Sequence, residues 1–132
     1  MISTRGRYAI RVMLDIAQHQ KDGYVPMKEV AGRQNLSLKY LEQIIPPLKK
    51  NNMVEGIQGK GGGYRLVRKP EQYTIGDILR ITERDLAPVS CLAEGAEKCN
   101  RRDKCQTIDF WEGLNSVVND YLDSKTLADL MK

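Results

Sequence analysis

The chain has 132 residues, of which 41% are hydrophobic and 29% charged. That is the composition of one ordinary soluble domain and excludes wholesale disorder. No apolar run approaches the ~20 residues of a membrane span. Arg5, Arg7 and Arg11 interrupt the first apolar stretch, so no signal-peptide core is expected and a cytoplasmic location is. The net charge of +4 conceals an asymmetry: residues 1–70 hold 13 Lys+Arg against 5 Asp+Glu, and residues 71–132 hold 8 against 12. A basic half joined to an acidic half points the first half toward a polyanion.

Ser3 and Thr4 are N-cap candidates. Tyr8, Val12, Met13, Ile16 and Ala17 then recur at helical spacing, predicting a first helix that ends near Gln20. Pro26 suits the start of a second helix, which Asn35 ends by tolerating the left-handed conformation. Ser37 caps a third, with Leu38, Leu41, Ile44, Ile45 and Leu48 inward and Lys39, Glu42, Gln43 and Lys49 outward. Two helices joined by so short a turn form a helix-turn-helix. Pro46-Pro47 predicts a kink or a break in the third helix, because each proline removes a donor and crowds the preceding turn.

Met53–Gln58 and Tyr64–Val67 read as strands joined by Gly59-Lys60-Gly61-Gly62-Gly63, a wing hairpin with a flexible basic tip. The glycine run lacks the Lys-Ser/Thr ending of a phosphate loop, so nucleotide binding is not expected. Thr74 and Asp77 resemble a capping box ahead of a fourth helix carrying Ile75, Ile78, Leu79 and Ile81. Residues 84–106 show no periodicity. Ile108, Trp111, Leu114, Val118, Tyr121 and Leu122 follow a three–four spacing, and Thr126 with Asp129 caps a last short helix. The expected architecture is mainly α: a winged helix-turn-helix DNA-binding domain with a two-stranded wing over residues 1–82, a cysteine-containing sensor loop over 83–106, and a long dimerisation helix with a C-terminal short helix over 107–132.

A helix-turn-helix lays its second helix in the major groove, with residues near that helix's N-terminus reaching base edges. Lys39, Tyr40, Glu42 and Gln43 stand there. Gln pairs with adenine, Glu accepts from cytosine and Lys favours guanine. A carboxylate near phosphates is tolerable where it meets a donor or rejects a wrong site; the alternative for Glu42 is a surface charge paired with a lysine. Lys60 and Arg65 supply charge to the wing, and Gln58 at its base is placed to read an edge. Arg5, Arg7, Arg11, Lys49 and Lys50 are further phosphate candidates. Trp111, Leu114, Val118, Tyr121 and Leu122 are expected to form a two-fold dimer face, since paired reading heads suit palindromic sites. Packing back on its own domain is the alternative for this helix.

Cys91, Cys99 and Cys105 are an odd number of cysteines, separated by seven and five residues. Without an export signal they do not suggest a disulfide framework, and the spacing is not the Cys-x2–4-Cys of a zinc site. Thiolates are the usual iron–sulfur ligands, normally four in number. The trio therefore suggests a metal or cluster, with free redox thiols as the alternative. Lys98, Arg101 and Arg102 flank it and favour thiolates. No segment presents a base, nucleophile and oxyanion donor together, so an enzyme is not expected.

The chain resembles the bacterial winged-helix regulators that include IscR, the nitric-oxide sensor NsrR and the cysteine-metabolism regulator CymR. The resemblance covers nearly the full length. It is carried by STRGRYAIRVMLDIA at 3–17, SLKYLEQIIPPLKKNNMV at 37–54, GKGGGYRL at 59–66, TIGDIL at 74–79, the three cysteines and TLADL at 126–130. It implies a homodimer with a long crossing helix, and a reading helix and wing on a double-stranded DNA operator. IscR-like members carry a [2Fe–2S] cluster on three cysteines and a histidine. Cys91, Cys99 and Cys105 match the cysteines, while Ile108 stands where the histidine would be. NsrR-like members complete a [4Fe–4S] cluster with an acidic residue near the second subunit's N-terminus, where this chain has Arg7. Asp109, one position beyond the missing histidine, is the nearest candidate for a fourth ligand; Glu94, Glu97, Asp103 and an external thiol are others. An incomplete ligand set predicts easy loss of the cluster in air.

Glu42 matches the glutamate with which IscR-like proteins discriminate two operator classes, and Gln58 replaces their wing-base arginine. CymR-like members lack these cysteines and work through a partner enzyme. The implied function is a transcription regulator of iron–sulfur homeostasis whose operator binding responds to a cluster, with iron–sulfur assembly proteins as further partners. The alternatives are a nitric-oxide or redox-sensing regulator, or a cysteine-metabolism regulator acting through a partner protein.

Overall fold

The computed structural model describes residues 2–93, 95–97 and 101–132. Of the residues singled out above, Glu94, Lys98 and Cys99 lie outside the described residues. Helix α1 spans Thr4–His19, with the Ser3 hydroxyl accepting from the Gly6 amide. Ser3 is itself held from the end of the fourth helix, where Glu83 accepts from both its amide (2.8 Å) and its hydroxyl (2.7 Å). That approach needs Gly6, because a Cβ there would strike the Glu83 carboxylate.

Helices α2 (Met27–Gln34) and α3 (Leu38–Lys50) form the helix-turn-helix. Asn35 makes the turn in the left-handed region (φ 55, ψ 48), and the Ser37 hydroxyl caps α3 by accepting from the Tyr40 amide at 3.0 Å. Of the kink or break expected at Pro46-Pro47, the break is corrected: α3 is a single helix through both prolines. The carbonyls that lose their donors belong to Glu42 and Gln43, which are exposed, so water can satisfy them. Buried Leu41, Ile44, Ile45 and Leu48 clamp the helix on both sides of the pair. Tertiary packing here outweighs the local preference.

Strands β1 (Val54–Ile57) and β2 (Gly63–Leu66) pair antiparallel, with Val54 opposite Leu66 and Ile57 opposite Gly63. Val25 adds one bridge to Tyr64, which seats the hairpin beside α2. Helix α4 (Ile75–Thr82) starts with the predicted capping box of Thr74 and Asp77. Helix α5 (Ile108–Ser124) is the long C-terminal helix, and α6 (Leu127–Leu130) follows, capped by Thr126 and Asp129.

One core unites Val12, Met13 and Ile16 of α1, Leu41, Ile44 and Leu48 of α3, and Ile78 and Leu79 of α4. Leu127 of α6 is buried in that same core. Helix α5 packs on α4, where Arg80 donates to Asp123 (2.6 Å) and Asn119 (2.8 Å). Among the described residues no helix is long and apolar enough to cross a membrane.

Candidate nucleic-acid interface and thiol loop

Lys39, Glu42 and Gln43 stand exposed on the outer face of α3, on the first two turns after the Ser37 cap. Tyr40 is half-buried and meets the Tyr8 ring edge-on, with centroids 5.7 Å apart. Gln58 and Lys60 are exposed at the end of β1 and in the wing tip. Beside them, Leu38, Glu42, Pro46 and Lys49 of α3 and Tyr64 of the wing line an apolar groove of about 560 Å³.

The arginines divide into two kinds. Arg5 is exposed on α1. Arg7 is also exposed and makes one long bond to Thr4 at 3.4 Å. Arg11 instead donates to the Gln34 carbonyl at 2.6 Å and to its side chain at 3.1 Å, lying over the Tyr8 ring. Arg65 donates to Glu55 at 2.7 Å across the hairpin and covers the Tyr24 ring. The Glu55 bond raises the Arg65 pKa above its already high ordinary value. Arg11 and Arg65 thus brace the scaffold while remaining at the surface.

Sequence reasoning missed the brace at Asp15. This carboxylate is 1% exposed and receives the Arg33 guanidinium at 2.7 and 3.0 Å and the Gln34 amide at 2.9 Å. It locks α2, the first helix of the motif, onto α1. The available signal was a carboxylate set between Met13 and Ile16 on an otherwise apolar face. His19 lies beside it on the same helix, its Nδ1 2.8 Å from the Asp15 carbonyl.

Helix α5 has no fully buried residue. Phe110 (66% exposed), Leu114, Val117 (65%) and Tyr121 (62%) follow one another at i, i+4, i+7 and i+11 as an exposed stripe. Trp111, Val118 and Leu122 are half-buried on another side, with Leu122 packed against the core. Leu114 and Tyr121 therefore share a face with Phe110 and Val117, two residues that the sequence reading left out.

Cys91 sits half-buried in a single turn at Ser90–Leu92, and Cys105 sits half-buried just ahead of α5. Both are free thiols. The Cys105 sulfur lies 3.5 Å from the Thr107 hydroxyl. Hydrogen bonds from the Thr107 side chain and amide push its pKa down, against a small desolvation effect, with help from the Ile108 amide and the Arg101 charge. Asp109 is exposed on the first turn of α5, and Glu97 and Asp103 are exposed in the loop. Among the described residues no three His, Cys, Asp or Glu side chains are grouped to hold a metal ion.

A capped helix-turn-helix followed by an antiparallel wing, with polar side chains exposed along the second helix, defines a winged helix-turn-helix DNA-binding protein. The family model described as "Rrf2: Iron-dependent Transcriptional regulator" matches residues 2–132, and the chain belongs to that family. It is 36% identical over 130 residues to the HTH-type transcriptional regulator IscR of Aliivibrio salmonicida, covering 98% of this chain and 76% of that relative. IscR of Yersinia enterocolitica is 35% identical over 130 residues, covering 98% and 78%. The solved structure of CymR, the global cysteine regulator of B. subtilis, matches with a TM-score of 0.79 and 37% identity, over 98% of this chain and 95% of that one. T. potens IscR matches at 0.78 and 36%, over 98% and 85%. The protein is a DNA-binding transcription regulator and not an enzyme.

Proposed function

We propose that this regulator works as a cytoplasmic homodimer whose choice of operator responds to an iron–sulfur cluster held by Cys91, Cys99 and Cys105. The observation that carries this reading is the free Cys105 thiol at the foot of α5, with free Cys91 earlier in the same loop. Cys105 stands where the loop from the reading domain enters a helix bearing an unpartnered apolar stripe. The donor chemistry fits a cluster: two free, half-buried thiols are available, and one is already biased toward the thiolate that iron requires. Asp109, on the first turn after Cys105, is the candidate fourth ligand. When bound, a [2Fe–2S] or [4Fe–4S] cluster supplies a charge that depends on iron and redox state.

The chain's own residues do the reading. Lys39, Glu42 and Gln43 face the major groove, with Tyr40 setting the helix against α1. Gln58, Lys60 and Arg65 carry the wing to the neighbouring backbone, and Arg5 and Arg7 meet phosphates. Residues 1–82 form the reading domain, 83–106 the sensor loop and 107–132 the dimer element. The exposed stripe on α5, which includes Leu114 and Tyr121, pairs two copies, with Trp111, Val118 and Leu122 fixing the helix from its inner side. Iron–sulfur assembly proteins are the expected source of the cluster.

Anaerobic reconstitution with iron and sulfide tests this. The expected result is stoichiometric iron and sulfide with visible absorption, lost in the Cys91→Ser and Cys105→Ser variants. No absorption in the wild type would leave thiol redox sensing, which the accessible Cys91 and Cys105 favour, as the better reading.

A further inference from the structure

Among the described residues Tyr73 is the only tyrosine in the buried core, and its side chain is fully buried, at 0% exposure. A buried phenol must place its hydroxyl. This one donates to the Met53 carbonyl at 2.7 Å and accepts from the amides of Val67 and Arg68 at 3.0 Å each. One donor and two lone pairs are all used. The positions of those three partners give the bonds their meaning. Met53 directly precedes β1, while Val67 and Arg68 directly follow β2. The hydroxyl therefore holds the point where the chain enters the wing and the point where it leaves.

Two further bonds extend this joint. The Met53 amide donates to the Leu48 carbonyl at 2.9 Å, so the wing's entry is also tied to the last turn of α3. The Tyr73 carbonyl accepts from the Leu127 amide at 2.9 Å, two residues beyond Lys125, which closes α5. Arg68 covers the ring, its guanidinium 4.5 Å from the centroid. Both feet of the wing thus meet the Tyr73 hydroxyl, the reading helix is joined to it through Met53, and the segment behind the long helix is bonded to the backbone of the same residue.

We propose that Tyr73 is the positioning residue that sets the wing against the reading helix on DNA, acting from the backbone position to which the first residue of α6 is bonded. The proposal rests on the reading that the wing touches DNA. Tyr73 touches no DNA itself; it acts through Lys60 and the wing backbone. The hydroxyl makes the only side-chain hydrogen bond to each of the three wing-root groups it meets among the described residues. The bridge from Val25 to Tyr64 and the Leu66 amide, which donates to the Gln20 side chain at 2.8 Å, also seat the hairpin. Without the hydroxyl those contacts and the ladder stay, and the two roots of the wing are loosened.

The test is a double-mutant cycle on one palindromic operator, with Tyr73→Phe, Lys60→Ala and the double variant. Lys60→Ala alone reports whether the wing contributes. The expected result is about a fivefold to tenfold loss for each single variant and a double variant little weaker than the worse single. Hydroxyl-radical footprints of Tyr73→Phe should lose the protection beside the wing and keep that at the reading helix. A Lys60→Ala variant with full affinity would refute the wing reading itself, and this inference with it. A weakened Lys60→Ala beside an unaffected or strictly additive Tyr73→Phe overturns the inference alone. Hydrogen exchange on the wild type gives a readout that does not depend on the variant's folding. The Val67 and Arg68 amides should be protected like that of Leu127, whereas amides as fast as those of the 59–62 tip would overturn the proposal.

Discussion

Helices α1 and α3 bury whole faces in a shared core, and several polar groups around that core are tied off: Asp15 to Arg33, Ser3 to Glu83, Tyr73 to the wing root. Helix α5 is longer than either and buries no residue fully, while it exposes four large apolar side chains in a row. The two halves therefore have different requirements. The reading half buries its helices in one core, which Leu127 of α6 completes. Helix α5 is apolar where it meets water, which marks an interaction surface. The charge split of the chain has the same division: the basic half carries the reading helix and wing, and the acidic half carries the thiols and the stripe.

The comparison breaks first at Asp15. Asp15→Ala takes from Arg33 its close partner, leaving Glu29 at 3.9 Å, and takes from α2 its brace. The freed guanidinium is open to water, so the cost is that of the lost hydrogen bonds to a charged group, about 2 kcal/mol, a sizeable share of a domain's total. The melting temperature should fall by roughly 6–10 °C in calorimetry, with operator binding recovered on cooling. A shift under ~3 °C would show that the brace is not what holds the motif.

The opposite outcome is expected on α5. Val117→Glu places a charge in the exposed stripe, so the fold and its melting temperature should hardly change. Sedimentation should show a monomer, and operator affinity should fall by about a hundredfold, which is roughly 2.7 kcal/mol, because one reading head is lost from each site. A dimeric Val117→Glu protein would mean that the stripe serves something else.

A smaller effect sharpens the reading half internally. Lys60→Ala should weaken binding several-fold on all sequences alike and flatten the salt dependence by about one unit of slope. Glu42→Ala should change the ratio between operators more than the affinity for either, since a carboxylate acts by rejecting wrong sites. Equal losses on every operator would make Glu42 a structural residue.

The legibility of the sequence follows the same boundary. Caps are local, and Ser3, Ser37, Thr74 and Thr126 do what their type and position predict. The helix-turn-helix was legible because its turn residue, Asn35, and its cap stand two positions apart. Pro46-Pro47 was misleading because a propensity argument cannot weigh four buried side chains in the same helix. Asp15 and Tyr73 were invisible because their partners are 18–19 residues and 5–54 residues away along the chain, from Arg33 to Leu127. On α5 the three–four spacing was legible, but it contains two stripes, and only packing shows that Phe110 and Val117 lie on the exposed one. The matching of the three cysteines came from resemblance; among the described residues, the Thr107 contact of Cys105 adds a physical reason.

That contact gives the smallest predicted effect and the most specific one for the C-terminal half. Hydrogen bonds from Thr107 favour the charged form of Cys105, so its pKa lies below the ordinary thiol range. The thiolate is the nucleophile, so alkylation by iodoacetamide should reach half its maximal rate at a lower pH than for the same cysteine without these hydrogen bonds. Thr107→Val removes the hydroxyl and leaves the amide, so the profile should move back toward higher pH without disappearing. Peptide mapping separates Cys105 from the other two cysteines, and anaerobic, metal-free protein separates thiol acidity from cluster binding. If Cys105 in the wild type and in Thr107→Val share one profile, the hydroxyl does not tune the thiol. The preference for thiolate at the foot of α5 would then rest on backbone amides and Arg101 alone.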